Sequence, residues 1–135
     1  MSKLYRSREG EATAVDTKTQ LTTLGSEAAP GPLLVPAGAK KIVGIIMAAC
    51  ESFAAATGFS AFIRLEGPGL QGGPESLATL AGGVPVATGG NGSVVAQKID
   101  IDLPVTPSNE ILIFAEMAGT DVGAVSFGVT LIFEL

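Results

Sequence analysis

The chain has 135 residues, of which 47% are hydrophobic, 16% charged and 5% aromatic, with a formal net charge of −5. One domain with one core fits that length, and aliphatic residues with six Phe must build it. There is no histidine and a single cysteine, Cys50, which excludes an internal disulfide, a multi-cysteine metal site and the commonest general base.

A mean hydropathy of +0.47 with so little charge leaves few polar groups to cover the outside, so burial against other subunits is expected. The charges are unevenly placed. Residues 1–41 carry six basic side chains (Lys3, Arg6, Arg8, Lys18, Lys40, Lys41) against four acids, and residues 42–135 carry two (Arg64, Lys98) against nine. An acidic body repels nucleic acid, so any phosphate contact falls to the N-terminal segment or to Lys40 and Lys41.

Residues 1–30 are rich in Ser, Thr, Glu, Ala and Gly without sustained periodicity, although Val15, Thr17, Thr19, Leu21 and Thr23 alternate. This composition predicts an N-terminal arm, flexible or ordered only on a partner. Its first residues hold Lys3, Arg6 and Arg8 with no apolar stretch behind them, so no secretory signal is expected. Pro30-Gly31-Pro32 ends the arm in a rigid turn, and the folded domain is expected over 31–135.

Leu33 to Pro36 reads as a short edge strand, because Pro36 has no N–H for a ladder. Lys40 to Ala49 is a nearly continuous apolar run that fits a strand buried on both faces or a short helix, and its β-branched Ile42, Val43, Ile45 and Ile46 favour the strand. At its longest, Ile42 to Cys50, the run is far short of the ~20 residues of a membrane helix. No transmembrane segment is expected. Ala54 to Gly58 breaks the pattern, and a half-exposed strand follows with Phe59, Ala61, Ile63 and Leu65 on one face and Ser60, Phe62, Arg64 and Glu66 on the other.

Residues 67–92 are rich in glycine and loop-like, with Pro74 to Leu80 readable as one helical turn or, together with Val84 to Val86, as a short edge strand. Ser93 to Leu103 then places Ile99, Ile101 and Leu103 inward with Lys98, Asp100 and Asp102 outward. Pro104 to Asn109 turns it into a strand over Glu110 to Met117, and Gly119 to Gly123 leads to a last strand where Phe127, Val129, Leu131 and Phe133 share a face. Strands at this spacing without intervening helices predict an all-β, antiparallel sandwich or barrel.

Three constellations bear on chemistry. Gly67, Gly69 and Gly72 satisfy a GxGxxG spacing, but Pro68 lies inside it, no long helix follows, and no acid about 20 residues on would hold a ribose. A sheet-connecting loop is the preferred reading. Asp100 and Asp102 project from one strand face, close enough to share Ca²⁺ with Glu110 or Glu116 of a neighbouring strand. The same spacing suits a solvated edge, where charge blocks unwanted pairing, and paired carboxylates also serve glycoside hydrolysis. The solvated edge is preferred, which leaves no assigned metal and no cofactor. Nucleophiles without a histidine have only Lys40 or Lys98 as a base, in no recognisable motif, so no enzyme is expected. Arg64 and Glu66, on one face, are candidates for exposed pairs between subunits.

The order of features is a polar arm, an edge strand at Leu33 to Pro36, Gly/Pro-rich inter-strand loops and a terminal strand over Val125 to Leu135. It resembles small, jelly-roll-like β-sandwich coat or cement proteins of viruses. That resemblance implies a virion subunit made in the host cytoplasm, self-associating or joining other coat proteins, with its arm laid across a neighbour. The arm residues expected to pack or pair between subunits are Tyr5, Arg6, Arg8, Val15 and Leu21. A filament joined by donation of residues 12–23 is a variant of the same expectation. The alternative is a carbohydrate- or ligand-binding sandwich of the spike or adhesion type, with Ca²⁺ at Asp100 and Asp102.

Overall fold

Nine antiparallel strands and no helix are formed by the residues that the computed structural model describes, namely 2–12, 17–22, 31–51, 60–72, 75–77, 93–118 and 125–135. In chain order they are β1 (Lys3–Ala12), β2 (Thr19–Gln20), β3 (Leu33–Leu34), β4 (Lys41–Glu51), β5 (Ser60–Glu66), β6 (Glu75–Leu77), β7 (Ser93–Pro104), β8 (Glu110–Ala118) and β9 (Val125–Glu134). One sheet has the order β1-β9-β4-β7. The other runs β2-β8-β5-β6, with β3 also pairing β8 beyond β2. The two short strands β2 and β3 thus serve as one interrupted edge, and the chain winds between the sheets as a jelly-roll-like β-sandwich.

The core lies between the sheets and follows from alternation. Phe127, Val129, Leu131 and Phe133 of β9 point inward and are buried, as are Ile63 and Leu65 of β5 and Ile111, Ile113 and Ala115 of β8. Burying a large aliphatic or aromatic side chain contributes roughly 1.5 to 3 kcal/mol relative to exposure, so these facing rows supply most of the drive to fold. Strand β4 lacks a simple alternation and needs a different device. Its register against both β7 and β9 shifts between Ile42 and Gly44, and this bulge lets Ile42 and Ile45, three residues apart, both reach the core. Gly44 is left on the outer face beside Ile132, whose Cδ1 would lie 3.1 Å from an added Cβ.

The N-terminal segment departs from expectation. Residues 3–12 do not form an arm awaiting a neighbour; they pair along their whole length with β9 of the same chain, from Lys3 opposite Glu134 to Ala12 opposite Val125. Leu21, expected at a subunit contact, is 1% exposed in this chain's own core. Composition hides the strand because an edge strand gains its place from the backbone ladder as well as from apolar side chains. Val15, the break at 54–58, residues 78–92 and the connection at 119–124 lie outside the described residues.

The turns are positioned by glycine and by backbone bonds. The bend after β5 needs Gly67 at φ +108°, and a Cβ on Gly69 would come within 2.7 Å of Ile111 and 2.8 Å of the Glu110 carbonyl. The Gly69 N–H donates to the Glu110 carbonyl at 2.8 Å. This accounts for Gly67 and Gly69, which let the bend press on the start of β8, whereas an added Cβ at Gly72 would meet nothing within 4 Å; β6 follows as a short edge strand beside β5. Pro74 to Leu80 therefore contributes a strand, Glu75–Leu77, in place of a helical turn.

Candidate assembly surfaces

A sandwich of this kind offers three kinds of surface: two outer sheet faces, the sheet edges, and the loops at its ends. On the outer face of the β1-β9-β4-β7 sheet, the register places Tyr5 beside Ile132 and Ile132 beside Gly44. Tyr5 is 56% exposed, whereas Ile132 is only 3% exposed although it faces away from the core. One end of this face is charged. Lys41 Nζ lies 3.5 Å from Asp102 and 3.6 Å from Glu134, which gives the largely buried Glu134 carboxylate the partner that burial demands.

The five expected arm residues separate. Tyr5 and Arg6 are exposed, and Arg6 donates to the Tyr5 carbonyl at 3.1 Å. Arg8 is half-buried and turned to its own chain: its Nε donates to the Gly31 carbonyl at 3.1 Å and its guanidinium also reaches the carbonyls of Pro32 and Ser7. It clasps β1 to the segment that leads into β3, across the mouth of the sandwich. Leu21 is core, and Val15 lies outside the described residues. Of the five, Tyr5 and Arg6 are thus the ones that the described structure leaves exposed.

Asp100 and Asp102 are exposed on β7 as expected, but the acids proposed to join them are not neighbours. Glu110 and Glu116 lie on β8, in the other sheet, because residues 104–109 carry the chain across the sandwich and do not close a hairpin. Each aspartate instead lies near a lysine, Asp100 at 3.7 Å from Lys98 and Asp102 at 3.5 Å from Lys41. Among the described residues no group of three or more metal-ligating side chains comes together. Among them, too, no helix is long and apolar enough to cross a membrane.

The outer face of the second sheet carries a cluster that sequence reading only half found. Arg64 and Glu66 do share that face, and they pair with each other at 2.8 Å. Lys18 completes the group, 2.8 Å from the same Glu66 oxygen and 4.4 Å from the centre of the Phe114 ring. Hydrogen bonds from Lys18 and then Arg64 hold the Glu66 carboxyl below the usual glutamate range. The alternation of β5 gave the Arg64 and Glu66 signal; Lys18 was invisible because it arrives from a segment 48 residues away. Leu34, 57% exposed next to Glu110, was likewise not singled out.

In sequence, no protein-family profile and no curated protein matches the chain. In three dimensions it is similar to a chain in the structure of infectious bursal disease virus, Gx strain, with a TM-score of 0.52 and 12% identity, covering 97% of this chain and 32% of that one. A similar likeness joins it to dimeric latent PorU from Porphyromonas gingivalis, with a TM-score of 0.53 and 11% identity over 98% of this chain and 13% of that one. The capsid asymmetric unit of cyanophage Pam1 aligns with a TM-score of 0.49 and 12% identity, over 98% of this chain and 84% of that one. This chain therefore spans about a third of the bursal virus chain and a smaller share of PorU. At these identities the likeness is one of fold, the β-sandwich.

Proposed function

We propose that the chain is a non-enzymatic structural subunit of a virion or comparable protein assembly, a coat or cement component whose partners are further copies or other coat proteins. The observation that carries this reading is the jelly-roll-like sandwich, which aligns over 97% of the chain with part of a virus structure. PorU shares the fold at the same level, so the fold alone does not choose between a shell and another setting. Composition supports the same reading: with 47% hydrophobic and 16% charged residues, few polar groups are left to cover the outside, and burial against other subunits is expected. The absence of histidine from the sequence weighs in the same direction. Contact through Tyr5, Arg6 and the sheet edges is part of the proposal, and the acidic body leaves nucleic acid, if it is met at all, to the basic N-terminal residues.

The test is the mass and shape of the purified protein, by light scattering followed by negative-stain imaging. Rings, shells or filaments of regular size are expected. A monomer at every concentration, unchanged by salt, would overturn the reading.

A further inference from the structure

Among the described residues, the long edge strand β7 is paired on one side only. It ends its sheet, with β4 on one side and no strand on the other among the described residues. Its far end is closed, since the Gln71 N–H donates to the Pro104 carbonyl at 3.1 Å and Leu70 bridges Val105. Among the described residues, that closure stops at Pro104. From Ser93 to Leu103 the outer edge offers backbone donors and acceptors of the kind that template strand addition. Ile99, Ile101 and Leu103 pack on the core yet remain only partly buried, in contrast to the fully enclosed row of β9.

The charges on β7 decide which partner fits. Lys98, Asp100 and Asp102 are exposed on one face. Consider a second copy of β7 laid antiparallel about a two-fold axis. Centred on Ile99, the axis sets each Lys98 opposite the other copy's Asp100, giving two symmetric opposite-charge pairs with Ile99 meeting Ile99 on the inner face. Moved one residue, to Asp100, it sets that aspartate against itself. Centred on Ile101, it sets Asp100 against Asp102 twice. A parallel arrangement in register puts every charge beside its own copy. Of the antiparallel registers, the one centred on Ile99 alone brings opposite charges together without a like-charge contact, and it sets Ile99 against Ile99 on the inner side.

The geometry points to a β7–β7 contact between two copies of this chain, antiparallel and centred on Ile99, which joins two four-stranded sheets into one of eight. The contact is isologous and closes on itself, so in a larger assembly it supplies the two-fold. It rests on the reading of the chain as an assembly subunit. Within one chain Lys98 and Asp100 lie 3.7 Å apart and both are exposed, so each can turn to the partner strand at little cost.

The experiment compares the wild-type chain with K98D and with the double exchange K98D/D100K, by sedimentation velocity over a hundredfold concentration range, with circular dichroism to check the fold. K98D should lose the two-fold contact and shift the association midpoint at least tenfold, and the double exchange should restore it, since its charges are again self-complementary. In a Cys50→Ser background, I99C should form a disulfide-linked dimer under mild oxidation and D102C should not. An assembly that K98D leaves unchanged would overturn the β7 contact while the subunit reading stands. A wild-type monomer throughout would overturn both.

Discussion

Strands β1 and β9 are two halves of one ladder, and their sequences look nothing alike. Opposite the inward row Phe127, Val129, Leu131 and Phe133 of β9, the register places Gly10, Arg8, Arg6 and Leu4 of β1. The β9 row is enclosed by β4, by β1 and by the facing sheet, so each position rewards a large apolar side chain. The β1 row lies at the border of the sandwich, where solvent reaches Arg6 and where Arg8 reaches the carbonyls of Gly31 and Pro32. An interior strand is written in its side chains, whereas an edge strand is held by backbone pairing and a polar clasp.

Substitutions along the paired rows sharpen this contrast. The largest effect is expected for Leu131→Ala, which empties a fully buried position and should cost about 2 to 5 kcal/mol in urea unfolding. Gly10→Val comes next. An added Cβ already lies 2.9 Å from Leu21 Cδ2 and 3.4 Å from Leu21 Cα, so the closing sheets must move apart at a cost of about 1 to 3 kcal/mol. A smaller loss, about 1 to 2 kcal/mol, is expected for Arg8→Ala, which removes charged donors from half-buried carbonyls. Arg6→Ala, one pair along, should stay within about 0.5 kcal/mol. Equal losses at Arg6 and Leu131 would break the contrast between border and interior.

The smallest effect concerns the outer face of the second sheet. Glu66 is held below its ordinary pKa by Lys18 and Arg64, so the native state favours its ionised form. The resulting stability is fully present above the unfolded value and is lost as the pH falls through the folded value. The wild-type melting temperature should therefore drop slightly more than that of Glu66→Gln as the pH is lowered from 7 to below about 4.5, and high salt should narrow the difference. Identical pH profiles would remove Glu66 from the account.

What the sequence disclosed follows the same division. The rows of β9 and the second half of β7 could be read directly, because alternation is strongest where one face meets a core; β8 was legible as a strand but not in its rows, since Leu112 and Phe114 of its outer face are apolar too. The run from Ile42 to Ile46 identified a buried strand but not its bulge, which depends on the register of two neighbours at once. The segment from Lys3 to Ala12 read as an arm, since Leu4, Arg6, Arg8 and Gly10 form no apolar stripe. Its partner is more than 110 residues away in sequence, and no local pattern announces such a pairing. For the surfaces, the outward face of Asp100 and Asp102 was correct, but their lysine partners and their separation from Glu110 and Glu116 depend on which sheet each strand joins.

Deleting residues 2–28 would remove β1, β2 and the core residue Leu21 together, and so would test folding more than assembly. The direct measurement is amide hydrogen exchange across β1 at the lowest concentration that mass spectrometry allows, where contacts between copies are minimised. If β1 belongs to its own chain's sandwich, the amides of residues 3–12 that bond to β9 will be protected to a degree approaching that of β9 itself. Exchange of the whole segment at the rate of an unstructured peptide, with β9 still protected, would contradict this and return the segment to the role of an arm.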